Sequence, residues 1–234
     1  MKFYDAHCHL PASFGERSVV NGTHPSDWPE ILNTAKQHKG ILPAIGLHPW
    51  KIKDAPVDWK TTFLEQIKNA RAVGEIGLDQ WIEDSDIDRQ TAAFIWQLQQ
   101  AAGRNLPVSI HCLKATDTLL YILKKHPCPK RGIHLHAYNG SAEQVAQFAE
   151  FGAYFSFHAS QLSGNAKKAP AAVQAVPEER LLIETDAPDT LERTEDPSAF
   201  LRCGYEQVAK LRGVSIEKLS AQVAANFKRY FLND

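Results

Sequence analysis

Eight short apolar runs alternate with longer stretches of helical periodicity, and this alternation constrains the chain more than any other feature. The runs fall at 3–10, 18–22, 40–47, 72–79, 107–112, 132–138, 153–159 and 181–187. Helical patterns fill 26–38, 58–69, 86–103, 115–126, 141–151 and 166–176, and two more, 197–212 and 215–231, follow the last run. In the final pattern Ile216, Leu219, Val223 and Phe227 form an apolar stripe at 3.6 spacing, with Ser215 placed as its N-cap. Strands alternating with helices build a parallel sheet covered by helices. A chain of 234 residues is close to the length of about 250 typical of a (β/α)8 barrel. A doubly wound open sheet is the main rival, but no G-x-G-x-x-G turn follows the first run. The expectation is an α/β fold, a TIM barrel forming one domain over residues 1–234.

Composition narrows the function classes. No apolar run approaches the roughly 18 residues of a membrane span, and the N-terminus carries no signal-peptide pattern. A formal net charge of −1 provides no long-range attraction for nucleic acid, although metal ions can still hold such a substrate locally. Cys8, Cys112, Cys128 and Cys203 show no C-x-x-C spacing, which fits a reduced, cytoplasmic compartment.

In a TIM barrel the active site sits at the C-terminal ends of the strands, and in this chain those ends are polar. The first run gives His7 and His9, two residues apart and therefore on one face of a strand. Later runs carry Glu75, His111, His136 and Asp186 at or near their ends. Uncompensated charges are expensive inside a barrel, and a bound cation explains the six together. Four imidazoles and two carboxylates exceed a site of three protein ligands plus water, so two divalent ions are expected. Glu75 is the natural bridge between them. Two such ions turn a water into hydroxide near neutral pH, with Asp186 placed to accept its proton. Zinc, magnesium and manganese all suit these ligands.

In order along the chain stand Tyr4-Asp5-Ala6-His7-Cys8-His9, Gly46-Leu47-His48-Pro49, Gly74-Glu75-Ile76-Gly77-Leu78-Asp79 and Pro107-Val108-Ser109-Ile110-His111. They are followed by His136-Ala137-Tyr138-Asn139-Gly140-Ser141, Glu184-Thr185-Asp186-Ala187-Pro188, Asn226 and Phe231. With these motifs the chain resembles the TatD family of metal-dependent hydrolases, within the amidohydrolase-like barrels, over essentially its whole length. The resemblance implies that His7, His9 and Asp186 hold one ion, that His111 and His136 hold the other, and that Glu75 bridges. It further implies a deoxyribonuclease that cleaves DNA phosphodiesters 3′→5′. Two positions depart from the family pattern: Pro11 replaces a usual Asp or Asn, and Leu113 replaces a usual Arg. Because Arg suits bidentate phosphate contacts, these losses keep open a small amide, ester or lactone as substrate. A non-catalytic metal-binding or interaction barrel is the remote alternative.

Other residues carry weaker expectations. His48, Asp79 and Lys114 are assigned to the substrate side, with Lys114 standing in for the missing Arg; Asp79 equally suits orienting a ligand or capping a turn. Trp50 and Trp81 follow strand ends, where one of them can stack on a flat group. An anion at Asp189, where relatives often carry an aromatic residue, opposes phosphate. His134 is read as a hydrogen-bonding residue beneath the ligands and His158 as a loop histidine. Cys8 and Cys112 should point away from the site. No obligate protein partner is inferred.

Overall fold

The computed structural model describes residues 1–11, 16–191 and 196–232. Eight strands form one parallel sheet in sequential order: β1 (Tyr4–Cys8), β2 (Arg17–Asn21), β3 (Ile41–Ile45), β4 (Ala72–Asp79), β5 (Val108–Leu113), β6 (His134–Leu135), β7 (Tyr154–Phe157) and β8 (Leu181–Ile183). Helices α1 (Trp28–Gln37), α2 (Trp59–Gln66), α3 (Ile87–Arg104), α4 (Thr116–Lys125) and α5 (Ala142–Ala149) cover the sheet between strands. They are followed by α6 (Ala159–Leu162), α7 (Lys168–Ala175), α8 (Pro197–Arg212) and α9 (Ile216–Phe227). The (β/α)8 barrel expected from the alternation is the fold.

The seam between the last and first strands lies beyond their regular ends. Asp186 N–H donates to the His7 carbonyl at 2.9 Å, and His9 N–H donates to the Ala187 carbonyl at 2.7 Å. Below them the buried Asp5 carboxylate accepts from Thr185 N–H at 3.0 Å, from the Thr185 hydroxyl at 2.6 Å and from His7 N–H at 3.2 Å. Lower still, the Tyr205 hydroxyl of α8 accepts from Tyr4 N–H and donates to the Tyr4 carbonyl. A side chain there supplies the pairing that a neighbouring strand otherwise provides.

Two one-residue bulges aim the polar residues. Asp5 pairs with Ser18 while Cys8 pairs with Val20, so β1 carries one extra residue. Tyr4 and Ala6 therefore pack in the same cluster as Val19, Leu42 and Ala44, while His7 and His9 still converge above. β4 slips in the same way between Val73 and Ile76, and Glu75 sits in that slip with its N–H donating to the Gly22 carbonyl at 2.7 Å. The flanking glycines are required by contact: a Cβ at Gly74 would lie 2.5 Å from Asn21 Oδ1, and one at Gly77 only 1.9 Å from the His111 carbonyl.

At the N-terminal mouth, α9 and the π-turn after it place Phe227, Tyr230 and Phe231 against Tyr4 and Tyr154. Ser215 caps α9 by accepting from Lys218 N–H, and Leu219, Val223 and Phe227 are its buried stripe. With that end filled by aromatics, the polar residues gather at the other. Two buried glutamines of α3 then fix strand ends there: Gln97 brackets the backbone of Leu47, and Gln90 that of Asp79.

Several strands are shorter than the pattern suggests. β6 holds two residues and β8 three, so His136, Glu184 and Asp186 stand on the loops just past them. The backbone turns left-handed at Ala137 (φ 41°) and Asp186 (φ 53°), within these loops.

Candidate metal centre

Glu75, 3% exposed, faces five imidazoles. Its Oε1 lies 2.8 Å from His136 Nε2, 3.0 Å from His111 Nδ1 and 3.1 Å from His48 Nε2. Its Oε2 lies 3.3 Å from His9 Nε2 and 3.5 Å from His7 Nε2. Asp186 Oδ1 completes the second group, 3.6 Å from His9 Nε2 and 3.8 Å from His7 Nε2. One carboxylate thus divides the donors: His7, His9 and Asp186 gather at one oxygen, and His48, His111 and His136 at the other.

In His7, His9 and His111 the second ring nitrogen faces a protein acceptor, as in metal-ligating histidines. His7 Nδ1 bonds Ser109 Oγ at 2.7 Å, His9 Nδ1 bonds the Asn21 carbonyl at 2.9 Å, and His111 Nε2 bonds Asp79 Oδ2 at 2.9 Å. His48 Nδ1 accepts from Trp50 N–H at 3.2 Å. His136 Nδ1 is buried without a hydrogen bond, its nearest carboxylate oxygen being Glu184 Oε1 at 3.6 Å. Imidazole nitrogens and carboxylate oxygens converging within 4.8 Å fit a zinc-like or manganese-like divalent ion.

The charges agree with that donor set. Burial raises the Glu75 carboxyl, but the charges of His48 and His136 and the hydrogen bonds from His111 and His136 outweigh it and hold the group well below the usual range. Asp186 is lowered in the same way, burial being overcome by the nearby His9 imidazole and by the charges of His136 and His7. Both carboxylates are therefore anionic at neutral pH.

Beneath the donors runs a buried chain of polar groups, of which sequence reasoning assigned only His134. It passes from His7 Nδ1 to Ser109 Oγ, then to His134 Nδ1 at 3.3 Å, and from His134 Nε2 to Ser156 Oγ at 2.6 Å. The Ser156 hydroxyl donates to Glu184 Oε2, and Glu184 Oε1 accepts from Ala137 N–H at 2.6 Å beside His136. One proton order satisfies every pair: each group donates toward Glu184, which leaves His7 Nε2 with its lone pair toward Glu75. The available signal was a serine inside an apolar strand, at Val108-Ser109-Ile110 and Phe155-Ser156-Phe157.

Residues assigned to the substrate side divide. His48 lines the cleft above the centre, yet its Nε2 points at Glu75 as the candidate ligands do. Asp79 is fully buried and does not line the cleft; it both orients His111 and caps the turn at Trp81 and Ile82. Lys114 is exposed after a left-handed turn at φ 57° and lies outside the cleft wall, where Leu113 stands instead. His134 is buried in the polar chain, and Cys8 packs against α1 with Val20 and Ile31. Cys112 packs against the outer core but also contributes to the cleft wall, because the wall curls around the end of β5.

The sequence model of the family described as "TatD related DNase" matches residues 4–232. The chain belongs to the TatD family. A metal-dependent hydrolase of Bacillus subtilis, YabD, is 32% identical over 227 residues, covering 92% of this chain and 87% of that protein. The 3′-5′ ssDNA/RNA exonuclease TatD of Erwinia tasmaniensis is 30% identical, covering 91% and 87%. The crystal structure of the TatD homologue YjjV from Escherichia coli superposes with a TM-score of 0.90 at 24% identity, covering 98% of each chain. The protein is a TatD-family metal-dependent hydrolase with the barrel of that family.

In this TatD-family member a cleft of ≈740 Å³ opens above the centre. Its lining includes the acidic Asp27, Glu30 and Asp189 as well as Trp50, Lys51 and Trp81. Leu10 and Leu113 contribute apolar surface near the two positions that depart from the family pattern. Among the described residues no helix is long and apolar enough to cross a membrane.

Proposed function

We propose that this protein is a two-ion hydrolase that removes nucleotides from the 3′ end of single-stranded DNA. The observation that carries the reading is the spread of donors across Glu75, whose Oε1 faces His111 and His136 and whose Oε2 faces His7 and His9, in two adjoining sets joined where His7, Glu75 and His136 also meet. His7, His9 and Asp186 would hold one ion with Oε2, and His111 and His136 would hold the other with Oε1; His48, whose Nδ1 accepts from Trp50 N–H, turns a protonated Nε2 to Glu75 and serves as a hydrogen-bond donor beside them. Two divalent ions held by these residues would supply Lewis acidity for the bond under attack and for water. The residues do the rest. Glu75 stays ionised between the two groups. Asp186, with 17% of its side chain exposed to the cleft, takes the proton from the attacking water. Lys51 offers the cleft a cation for phosphate. Relatives named as 3′-5′ ssDNA/RNA exonucleases support the nucleic-acid substrate, and four free thiols suit a cytoplasmic setting.

A second reading keeps the chemistry and changes the substrate to a small ester, amide or lactone. The acidic wall of Asp27, Glu30 and Asp189 favours it, because those charges repel a polyanion. The deciding experiment uses 5′-labelled single-stranded DNA with metal-stripped protein, adding back Mg, Mn or Zn beside an Asp186→Asn control. Metal-dependent shortening from the 3′ end, lost in the control, is expected. No cleavage by protein that carries two ions per chain would overturn the nuclease reading and move the search to small esters, amides and lactones.

A further inference from the structure

We infer that Trp50 and Trp81 form an aromatic shelf that stacks the terminal nucleobase of the substrate, a subsite that rests on the nuclease reading above. Both indoles line the cleft and both stand open, at 49% and 70% exposure. The other three tryptophans do not share this position: Trp28 is fully buried, and Trp59 and Trp96 pack on each other at 5.0 Å. Two exposed indoles lining a cleft otherwise rich in charge offer surface for a flat, uncharged group.

The shelf is anchored to the metal donors. Asp79 is the anchor: its Oδ2 accepts from Trp50 Nε1 at 2.7 Å and from His111 Nε2 at 2.9 Å, and its Oδ1 accepts from Trp81 N–H at 2.7 Å. Trp50 is gripped a second time by His48 through its backbone N–H. Its ring centroid lies 5.0 Å from that of His48 and 5.9 Å from that of His111. A planar group stacked on the shelf is thus held at a fixed distance from Glu75 by a single buried carboxylate. That is the arrangement needed to deliver the adjoining phosphodiester to the donors.

The acidic residues of the same cleft decide what is recognised. Asp27, Glu30 and Asp189 repel phosphates, leaving Lys51 beside Trp50 as the cation on the shelf side. Affinity must then come from the neutral part of a nucleotide, and every base has a π-face. Recognition by the face rather than the edge makes the shelf tolerant of sequence, with purines held better for their larger area.

The test compares a single-stranded oligonucleotide ending in a 3′ adenosine with the same strand ending in an abasic residue, using wild-type protein, Trp81→Ala, Trp50→Ala and Trp81→Phe. On the base-bearing end the alanine variants are expected to raise KM by about 10- to 100-fold, the range set by stacking one base on an aromatic ring. Trp81→Phe should recover most of that loss. On the abasic end wild type should already show the raised KM, with Trp81→Ala adding nothing. Equal KM values for wild type and both alanine variants on the base-bearing end overturn the shelf. If wild type cleaves no DNA, the nuclease reading fails by itself, and the shelf is decided by dAMP. Quenching of tryptophan fluorescence that is lost in Trp50→Phe/Trp81→Phe supports the shelf; no quenching of wild type rejects it.

Discussion

His111 donates from Nε2 to Asp79 Oδ2 at 2.9 Å, which leaves Nδ1, 3.0 Å from Glu75 Oε1, as the atom turned toward the donor cluster. Asp79 is held below its usual range: burial raises it, but hydrogen bonds from His111, Trp50 and Trp81 pull it down to about 2. It is thus a fixed anion behind a candidate ligand. Asp79→Asn keeps an oxygen for the cap at Trp81 but loses the charge facing His111. Removing such a partner typically costs 10- to 100-fold in metal affinity. We expect a loss of about that size in competition with a chromophoric chelator, and a change in Tm of only a few degrees. Unchanged metal affinity would refute the orienting role.

The polar chain from His7 to Glu184 makes a separate prediction. Ser156→Ala interrupts it between His134 and Glu184, so nothing then enforces the proton on His7 Nδ1. In ¹⁵N-histidine spectra the wild type should show His7 with its proton on Nδ1, and Ser156→Ala should show a mixture of tautomers. A metal affinity lowered about 10-fold should accompany the change. A single His7 tautomer in both proteins would show that Ser109 alone fixes the ring.

Much of this was legible in the sequence, and the gaps have physical causes. The barrel followed from eight apolar runs, because burial on both faces imposes that pattern whatever the details. His7 and His9 were placed together because side chains alternate along a strand. The short β6 and β8 were not legible, since the apolar runs continue past the points where regular pairing stops, at Leu135 and Ile183. His48 was placed at the pocket but its contact with Glu75 was not legible: no periodicity links position 48 to position 75, and the curvature of the barrel brings them within 3.1 Å. Asp79 looked like a residue of the pocket because it ends a strand. Its burial depends on Gln90 of α3, which brackets its backbone from the outside.

Asp5 should prove a stability residue. Its carboxylate accepts three hydrogen bonds across the β8–β1 seam, from Thr185 N–H, the Thr185 hydroxyl and His7 N–H. In Asp5→Ala those donors stay buried without partners, at about 1–3 kcal/mol for each one left unsatisfied. Allowing for relaxation, a total of about 3 kcal/mol corresponds to a fall in Tm of roughly 6–12 °C for a domain of this size. Thermal unfolding of the metal-stripped proteins isolates this effect from changed metal binding. A fall of less than 2 °C would mean that the backbone bonds at Asp186 and His9 close the seam unaided.

Metal removal should destabilise the wild type through the same groups that Glu75 divides. Ions that bind only the folded chain stabilise it by mass action, about 4 kcal/mol when free metal exceeds Kd a thousandfold. At roughly 2–4 °C per kcal/mol for a domain of this size, chelation should lower Tm by about 8–16 °C, and adding zinc or manganese should restore it. Glu75→Gln keeps the side-chain volume but removes the charge shared by the two groups, so the difference between chelated and reloaded protein should shrink by at least half. The comparison needs elemental analysis of each sample, because the two donor groups need not empty together. Reloaded wild type that carries metal yet unfolds at the same temperature as chelated protein would show that the donors are rigid without ions, and that their convergence on Glu75 is maintained by the barrel alone.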